Sequence, residues 1–191
     1  MSAFRIALIG NPNCGKTTLF NALTGSHQKV GNWPGVTVEK KIGTFTDKNR
    51  DCVIVDLPGI YSLEQDYLGL DEKIARDYLT AGDFDVVLNI IDAGNLQRNL
   101  ILTQQLLELG LPVVVAVNML DVAEREGITV DTESLADHLG APVAPIIASK
   151  QQGLGDLLVQ LFTADASDRK IEVLTSGEFV GDKIIKRYQR A

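Results

Sequence analysis

Residues 10–17 read Gly10-Asn11-Pro12-Asn13-Cys14-Gly15-Lys16-Thr17, which is the pattern G-x-x-x-x-G-K-[ST] of a phosphate-binding loop. The apolar run at 4–9 predicts a buried strand before the loop, and 15–24 predicts a helix after it. The glycines let the backbone curl so that its N–H groups face phosphates, at a helix N-terminus that favours negative charge. Lys16 can reach the terminal phosphates, and the Thr17 hydroxyl can ligate Mg²⁺. The alternative is a chance glycine turn, which the flanking strand and helix make the weaker interpretation.

The composition is that of an ordinary globular domain, and the distribution of charge limits the kinds of binding partner that we expect. The chain has 191 residues, 45% of them hydrophobic, and a net charge of −7. No stretch concentrates Lys or Arg, so we expect no nucleic-acid partner. Cys14 and Cys52 lie in unrelated places, which argues against a disulfide framework and fits a reducing compartment. We expect no signal peptide before the first strand, and no apolar run reaches the roughly 18 residues that cross a bilayer.

Apolar runs alternate with helical patterns along the rest of the chain. Strands are predicted at 4–9, 36–46, 51–56, 85–91, 112–117 and 143–147, and helices at 15–24, 71–81, 95–109, 131–139 and 153–163. The near-continuous apolar runs at 86–91 and 113–117 suit strands covered on both faces. We therefore predict an α/β fold with a mostly parallel six-stranded sheet, helices on both faces and one antiparallel edge strand, 36–46, in a hairpin with 51–56.

Two segments have the features of a nucleotide-dependent switch. Asp56-Leu57-Pro58-Gly59 follows a predicted strand, where Asp56 can hold Mg²⁺ through a water and Gly59 can bring an N–H to a γ-phosphate. Thr37 lies in the glycine-rich stretch 30–37 and can complete the Mg²⁺ shell only when the γ-phosphate is present. The alternative for 30–37 is a plain surface turn, which leaves Trp33 without a role.

The identity of the nucleotide base is predicted from the motif Asn118-Met119-Leu120-Asp121, which follows another predicted strand. A carboxylate at Asp121 can accept hydrogen bonds from the N1–H and exocyclic amine of guanine, and adenine offers no matching pair of donors. The alternative is that Asp121 caps a helix. We favour base recognition because ligands bind at the carboxyl ends of strands in such sheets.

A further loop, Ala148-Ser149-Lys150, follows the last predicted strand and can give a backbone N–H to the guanine O6. Its first two residues are exchanged relative to the S-A-K of many GTPases, and Ser149 remains the candidate because a backbone contact tolerates the exchange. The predicted nucleotide-binding residues are Gly10, Asn11, Pro12, Asn13, Cys14, Gly15, Lys16, Thr17, Thr18, Asp56, Gly59, Asn118, Met119, Asp121, Ala148, Ser149 and Lys150.

These motifs together resemble the N-terminal G domain of the ferrous iron transport protein B (FeoB) family, a Ras-type P-loop GTPase of the translation-factor-like class. The resemblance lies in residues 9–21, 30–39, 56–63, 92–100 and 118–122, and it covers roughly residues 4–155. Its most specific part is Val30-Gly31-Asn32-Trp33-Pro34-Gly35-Val36-Thr37. The departures are Cys14, where serine is common, and the order of Ala148 and Ser149.

The resemblance implies a GTP- and GDP-binding, Mg²⁺-dependent domain at the cytoplasmic face of the bacterial inner membrane, joined to an Fe²⁺ transporter. It implies a GTP-binding domain at 1–164, with 165–191 a linker and the start of a truncated helical domain. Further helical and transmembrane domains would follow in the same polypeptide, and a homo-oligomer could form through the full-length transporter. For 165–191 the alternative is a short basic helix packed on the domain.

The catalytic prediction rests on Lys16, Asn13, Thr37 and Gly59. Ile60 stands where Ras-like enzymes carry a water-orienting glutamine, so we predict slow hydrolysis with water held by backbone groups near Thr37 and Gly59. Related GTPases bind K⁺ through an asparagine at the position of Asn13. The carbonyls of Gly31 and Trp33 could complete such a site, which would supply the charge of a missing arginine. The alternative is that Asn13 only braces the loop.

Other functions stay open at the level of sequence. A stand-alone GTPase of ribosome assembly or RNA modification shares the core motifs, but it would more often carry N-K-x-D and a basic appendage. A P-loop ATPase or kinase is disfavoured by Asp121, and a GTP sensor with negligible turnover is close to the first interpretation. No Fe²⁺ site is predicted, because His27 and His138 are isolated and no cluster has ligand spacing.

Overall fold

Strands and helices alternate along the chain in the computed structural model, which describes residues 3–64 and 69–164. The strands are β1 (Phe4–Gly10), β2 (Gln28–Asn32), β3 (Glu39–Asp47), β4 (Arg50–Asp56), β5 (Val86–Asp92), β6 (Val113–Asn118) and β7 (Val143–Pro145). The α-helices are α1 (Lys16–Thr24), α2 (Leu70–Ala81), α3 (Leu96–Glu108), α4 (Leu120–Arg125), α5 (Thr132–Leu139) and α6 (Leu154–Thr163). The predicted linker at 165–191 lies outside the described residues. No helix within the described ranges has the length and apolar character needed to cross a bilayer.

The strands form one sheet in the order β2-β3-β4-β1-β5-β6-β7. β1 pairs in parallel with β4 and β5, and β6 pairs in parallel with β5 and β7. β3 runs antiparallel to β4, and β2 runs antiparallel to β3. The predicted α/β fold with a mostly parallel sheet is therefore confirmed, and so is the hairpin of β3 with β4.

The sheet has seven strands among the described residues where six were predicted, because Gln28–Asn32 forms the edge strand β2. Four of its five residues are exposed and it has no apolar alternation, so hydrophobic periodicity could not reveal it. The antiparallel strand β3 consequently lies one place inside the edge and begins at Glu39 rather than at residue 36. Periodicity also missed the six-residue helix α4, which is too short for a helical repeat.

Alternate residues of the central strands feed two hydrophobic cores, one on each face of the sheet. Ala7 and Ile9 of β1 pack in the core that α2 and α3 cover, whereas Ile6 and Leu8 pack in the core that α1 and α6 cover. All four side chains are fully buried. Burial of an apolar side chain of this size contributes about 1.5–3 kcal/mol, so the two cores hold the strands in register.

The parallel strands β1, β4, β5, β6 and β7 end at the same edge of the sheet. Ligands of open α/β sheets bind at this carboxyl edge, because the loops that follow the strands converge there. Three of the predicted motifs begin at these strand ends: Gly10 closes β1, Asp56 closes β4 and Asn118 closes β6.

Candidate nucleotide-binding site

The phosphate loop connects β1 to α1, and its glycines are required by close backbone approach. A Cβ at Gly10 would lie 2.5 Å from the carbonyl oxygen of Ile90, and one at Gly15 would overlap Asn118 Nδ2. Gly15 also has φ 92°, a left-handed conformation that L side chains rarely adopt. Helix α1 begins directly after it at Lys16, so the free N–H groups of its first turn lie at the loop.

The side chain of Asn118 joins the phosphate loop to the loop after β7. It is 3% exposed, its Nδ2 donates to the Cys14 carbonyl over 3.1 Å, and its Oδ1 accepts from the Ala148 N–H over 3.0 Å. Sequence predicted Asn118 to bind nucleotide, and the structure gives its amide a bridging role between two of the predicted loops. This long-range pairing had no signal in the sequence beyond the position of Asn118 at a strand end.

Lys16 and Asp56 form the charged centre of the site. Lys16 Nζ lies 2.5 Å from Asp56 Oδ1, and the Asp56 side chain is 9% exposed. The structure thus brings the phosphate-binding lysine and the predicted Mg²⁺ carboxylate together across 40 residues of sequence. Thr17 and Thr18 lie exposed in the first turn of α1 beside them. The lysine could bind a negative phosphate and the carboxylate a cation, so the pair suits a ligand that carries both.

Asp121 and Lys150 form an ion pair at the base-recognition end of the site. Lys150 Nζ lies 2.7 Å from Asp121 Oδ2, and this hydrogen bond lowers the pKa of Asp121 below its ordinary value. Asp121 sits in the first turn of α4, which follows Met119 in the left-handed conformation with φ 61°. Ala148–Lys150 form a 3₁₀ turn in which Ser149 is exposed. The lowered pKa keeps the carboxylate ionised, so both of its oxygens are hydrogen-bond acceptors, one of which already accepts from Lys150.

The segment after Asp56 returns to the phosphate loop through its backbone. The Ile60 N–H donates to the Gly10 carbonyl over 3.2 Å. A Cβ at Gly59 would lie 3.4 Å from Pro12, so Gly59 faces the loop at ordinary contact distance. Ile60 is fully buried in the core under α2 and α3. Its side chain packs inward, so it does not orient a water in this structure.

The predicted K⁺ residues lie in separate elements. Asn13 is exposed in the phosphate loop with φ 66°, and Gly31 lies in β2 opposite Lys40. The Trp33 carbonyl accepts from the Val36 N–H over 3.2 Å. Thr37 is exposed, and within residues 3–64 and 69–164 it makes no side-chain hydrogen bond. K⁺ binding by Asn13, Gly31 and Trp33, and Mg²⁺ binding by Thr37, therefore stay predictions from the sequence.

Asn11 and Cys14 point into the protein rather than toward a ligand. Asn11 is buried, and its Nδ2 donates to the Arg98 carbonyl of α3 over 3.4 Å. Cys14 is 1% exposed, and burial raises the pKa of its thiol to about 11. Any contact that these two residues make with a phosphate would therefore be through the backbone. No trio of His, Cys, Asp or Glu side chains in the described part of the chain is placed to hold a metal ion.

The sequence is similar to known ferrous iron transporters. Residues 4–161 match the family model described as ferrous iron transport protein B. The Fe(2+) transporter FeoB of Salmonella typhimurium is 49% identical over 170 residues, which are 88% of this chain and 22% of that protein. The transporter of Escherichia coli K12 is 53% identical over 156 residues, or 81% and 20%. The chain spans about a fifth of the length of these curated relatives.

Solved structures of the same family share the fold. The cytosolic domain of L. pneumophila FeoB is 53% identical with a TM-score of 0.80, covering 84% of this chain and 68% of that one. The G domain of T. maritima FeoB is 44% identical with a TM-score of 0.79, covering 85% and 99%. An S. thermophilus NFeoB variant bound to GDP is 47% identical with a TM-score of 0.81, covering 94% and 65%. The chain therefore belongs to the ferrous iron transport protein B family, within which it corresponds to the N-terminal G domain with a P-loop GTPase fold.

Proposed function

We propose that this domain binds GTP, hydrolyses it slowly and, at the cytoplasmic face of the membrane, couples or regulates Fe²⁺ uptake by a transporter of which it is part. The observation that carries the proposal is the Asn118 bridge, which holds the phosphate loop and the 148–150 loop against one strand end. A ligand with phosphates at one end and a base at the other fits that arrangement. The S. thermophilus relative bound to GDP supports a guanine nucleotide as this ligand.

Guanine selectivity is supported by the Asp121 carboxylate. Its pKa is lowered by Lys150, so it remains an acceptor at neutral pH. Guanine presents two adjacent donors to such a carboxylate, whereas adenine presents an acceptor at N1 and would leave a buried group unpaired. Ala148 and Ser149 follow on the neighbouring loop, where a backbone N–H would meet the guanine O6.

The oxygen donors of the site suit Mg²⁺. Thr17, Thr37 and Asp56 would hold the ion, because hard oxygen ligands with one carboxylate are what Mg²⁺ prefers beside phosphates. The bound ion would neutralise phosphate charge during transfer. Lys16 already lies next to Asp56, so the same carboxylate serves the lysine without ligand and the cation with it.

Slow hydrolysis follows from what the chain places near the γ-phosphate. Ile60 is buried and apolar, so backbone groups near Thr37 and Gly59 would orient the attacking water in place of a side chain at position 60. Lys16 and the N–H groups of the loop would stabilise the developing charge. Asn13, with Gly31 and Trp33, would add K⁺ when stretch 30–37 closes over the nucleotide.

The nucleotide proposal is tested by turnover of GTP and ATP in Mg²⁺, with Asp121→Asn alongside Asp137→Asn. Asp137 is an exposed carboxylate on α5 and controls for the change in net charge. We expect GTP to be hydrolysed in preference to ATP. Asp121→Asn should weaken GTP binding roughly 10-fold to 100-fold, because one of the two guanine donors loses its acceptor and meets the NH₂ group of asparagine instead. Equal use of both nucleotides, or unchanged GTP affinity in Asp121→Asn, would contradict the proposal.

The transport proposal concerns the full-length protein and needs its own measurement. Fe²⁺ uptake into cells or vesicles that carry the full-length transporter should be lost in Lys16→Ala and retained in Lys48→Ala, a lysine at the β3–β4 turn. Full uptake in Lys16→Ala would contradict coupling. The stand-alone ribosomal or RNA-modifying GTPase is not favoured, because the two curated relatives described above, which are 49% and 53% identical to this chain, are Fe(2+) transporters.

A further inference from the structure

The segment 60–64, directly after Gly59, is held in place by side chains rather than by regular secondary structure. Ile60 and Leu63 are fully buried, although the segment forms neither helix nor strand. Buried backbone groups need hydrogen-bond partners, and here other elements supply them. The Leu63 N–H donates to Gln105 Oε1 over 2.7 Å, and the Leu63 carbonyl accepts from Arg76 Nη2 over 3.1 Å. The position of the segment is therefore set by α2 and α3.

Both polar atoms of the Gln105 side-chain amide, on α3, form hydrogen bonds with this segment. Its Oε1 accepts from Leu63 as described, and its Nε2 donates to Ser62 Oγ over 2.9 Å. The residue is only 5% exposed, although glutamine usually lies at the surface. A buried amide is stable when donor and acceptor are both satisfied, so the segment and Gln105 depend on one another.

Arg98 contacts the same segment from two turns earlier on α3. Its guanidinium lies 3.9 Å from the centroid of the Tyr61 ring, within the range of a cation–π interaction. Residues seven apart lie on the same face of a helix, so Arg98 and Gln105 present one surface to residues 61–63. We name these two residues the α3 clamp.

The other end of the segment is fixed to the phosphate loop. The Ile60 N–H donates to the Gly10 carbonyl, and Gly59 faces Pro12. Gly59 therefore lies between two restraints, the phosphate loop on one side and the α3 clamp on the other. Movement of residues 61–63 would be passed to Gly59, because only Ile60 separates them.

We propose that the α3 clamp, formed by Gln105 and Arg98, positions the Gly59 N–H for the γ-phosphate through segment 60–64. Neither clamp residue touches the nucleotide, so both are positioning residues. The inference rests on the proposed GTP hydrolysis. A hydrogen bond that assists phosphoryl transfer loses most of its value when its donor is displaced by about 1 Å, so the clamp should affect turnover more than nucleotide binding.

The first test compares Gln105→Met with Gln104→Met in the 191-residue chain. Methionine keeps the volume and removes the three hydrogen bonds that the Gln105 side chain makes with residues 62–64. Gln104 is half-buried on the same helix, and its amide donates to Glu108. We expect Gln105→Met to lower kcat for GTP about tenfold and to leave the Kd for GDP within about twofold, because GDP has no γ-phosphate. Gln104→Met should match the wild type in both measurements.

The second test uses the partly exposed Tyr61–Arg98 pair, whose loss does not threaten folding. Tyr61→Phe keeps the ring and should keep kcat, whereas Tyr61→Leu and Arg98→Ala should each lower it about threefold. The double variant should be no slower than either single variant, because both remove one interaction. This arm decides the matter if Gln105→Met fails to fold.

Three results would overturn the inference. One is an unchanged kcat in Gln105→Met and Tyr61→Leu while the wild type hydrolyses GTP. Another is a loss of GDP affinity as large as the loss of kcat, which would indicate a general structural role. A wild-type chain that binds GTP but does not turn it over would overturn the proposed hydrolysis, and the clamp with it. The first two results leave the proposed function intact, so the failures are distinguishable.

Discussion

Lys16 is paired with Asp56, so an incoming phosphate has to compete with this carboxylate for the lysine, and the competition has a measurable consequence. The two side chains are paired at 2.5 Å and are largely buried, so the ion pair is a stable alternative to phosphate binding. Without Mg²⁺, the Asp56 carboxylate both occupies Lys16 and repels an incoming phosphate. We predict that Asp56→Asn tightens GDP binding in EDTA about tenfold and reduces the gain in GDP affinity that Mg²⁺ gives.

The measurement is a titration of fluorescent GDP with and without Mg²⁺. Asp51→Asn is the matched control, because Asp51 lies exposed in the same strand, bonds to Thr46 and changes the net charge equally. We expect Asp51→Asn to bind GDP like the wild type in both conditions. Weaker GDP binding by Asp56→Asn in EDTA would show that the ion pair does not compete with phosphate.

Asn13 is the residue on which the K⁺ proposal stands or falls. It is exposed at the phosphate loop, and its φ of 66° is a conformation that asparagine adopts more readily than most residues. We predict that GTP turnover is faster in KCl than in NaCl, and that Asn13→Ala removes the difference. A loop-bracing role would instead give equal wild-type rates in the two salts, and Asn13→Ala would then slow turnover equally in both.

At the scale of elements, the sequence predicts those strands and helices whose local residue pattern agrees with their position in the fold. β1, the loop and α1 follow from the sequence because two glycines, a lysine and a helix start are all local signals. β2 could not be predicted, because its exposed polar residues are ordered by pairing with β3 rather than by burial.

In the candidate site, too, some residues could be predicted from the sequence and others could not. Lys16, Asp56 and Asp121 could be found because each follows a strand end in a recognisable motif. The bridge from Asn118 to Cys14, and the contacts of Gln105 with residues 62–63, could not, because each joins residues far apart in sequence. A single glutamine on a predicted helix carries no sign of which loop it will meet.

The stretch after β2 packs on α2 in this structure, and Trp33 reports on that contact. Trp33 is 6% exposed and meets Tyr78 edge-on at 5.6 Å, and Lys40 Nζ lies 4.4 Å from its ring centroid. Thr37, four residues later, is exposed, and we expect it to move when it binds Mg²⁺ beside a γ-phosphate. Such a movement would disturb the surroundings of Trp33.

We predict that a GTP analogue with Mg²⁺ changes Trp33 fluorescence and that GDP with Mg²⁺ does not. Trp33 is the only tryptophan of the chain, so the emission has one source. A red shift is expected as the indole loses the ring of Tyr78 and gains water. Thr37→Ala should abolish the shift, since the hydroxyl that senses the γ-phosphate is gone. An identical change with GDP would contradict a γ-phosphate-dependent movement of this stretch.

At the scale of the whole molecule, the two hydrophobic cores support the carboxyl edge of the sheet, where the loops of the candidate site lie. Fully buried residues of β1 contact helices on both faces, so the carboxyl edge of the sheet is a rigid base. The predicted ligand-binding residues lie in the loops at this edge and in the adjoining ends of strands and helices, and they are joined by the hydrogen bonds of Asn118 and by the Lys16–Asp56 ion pair. Nucleotide binding should therefore stabilise the fold as a unit, because one ligand would join residues at the ends of four different strands, β1, β4, β6 and β7.

This leads to a prediction for thermal unfolding. A ligand that binds only the folded state stabilises it by RT ln(1 + [L]/Kd), which is about 2.7 kcal/mol at one hundred times the Kd. In a domain of this size each kcal/mol raises Tm by roughly 2–4 °C, so GDP at that excess should raise Tm by roughly 5–10 °C. ATP at the same concentration should raise Tm far less, because adenine does not offer Asp121 two hydrogen-bond donors.

Asp121→Asn should unfold near the wild-type Tm without ligand, since the Asp121 side chain is partly exposed. The variant should gain less Tm from GDP, because its side chain binds the guanine base less well. A GDP shift as large in Asp121→Asn as in the wild type would place the source of selectivity elsewhere in the site.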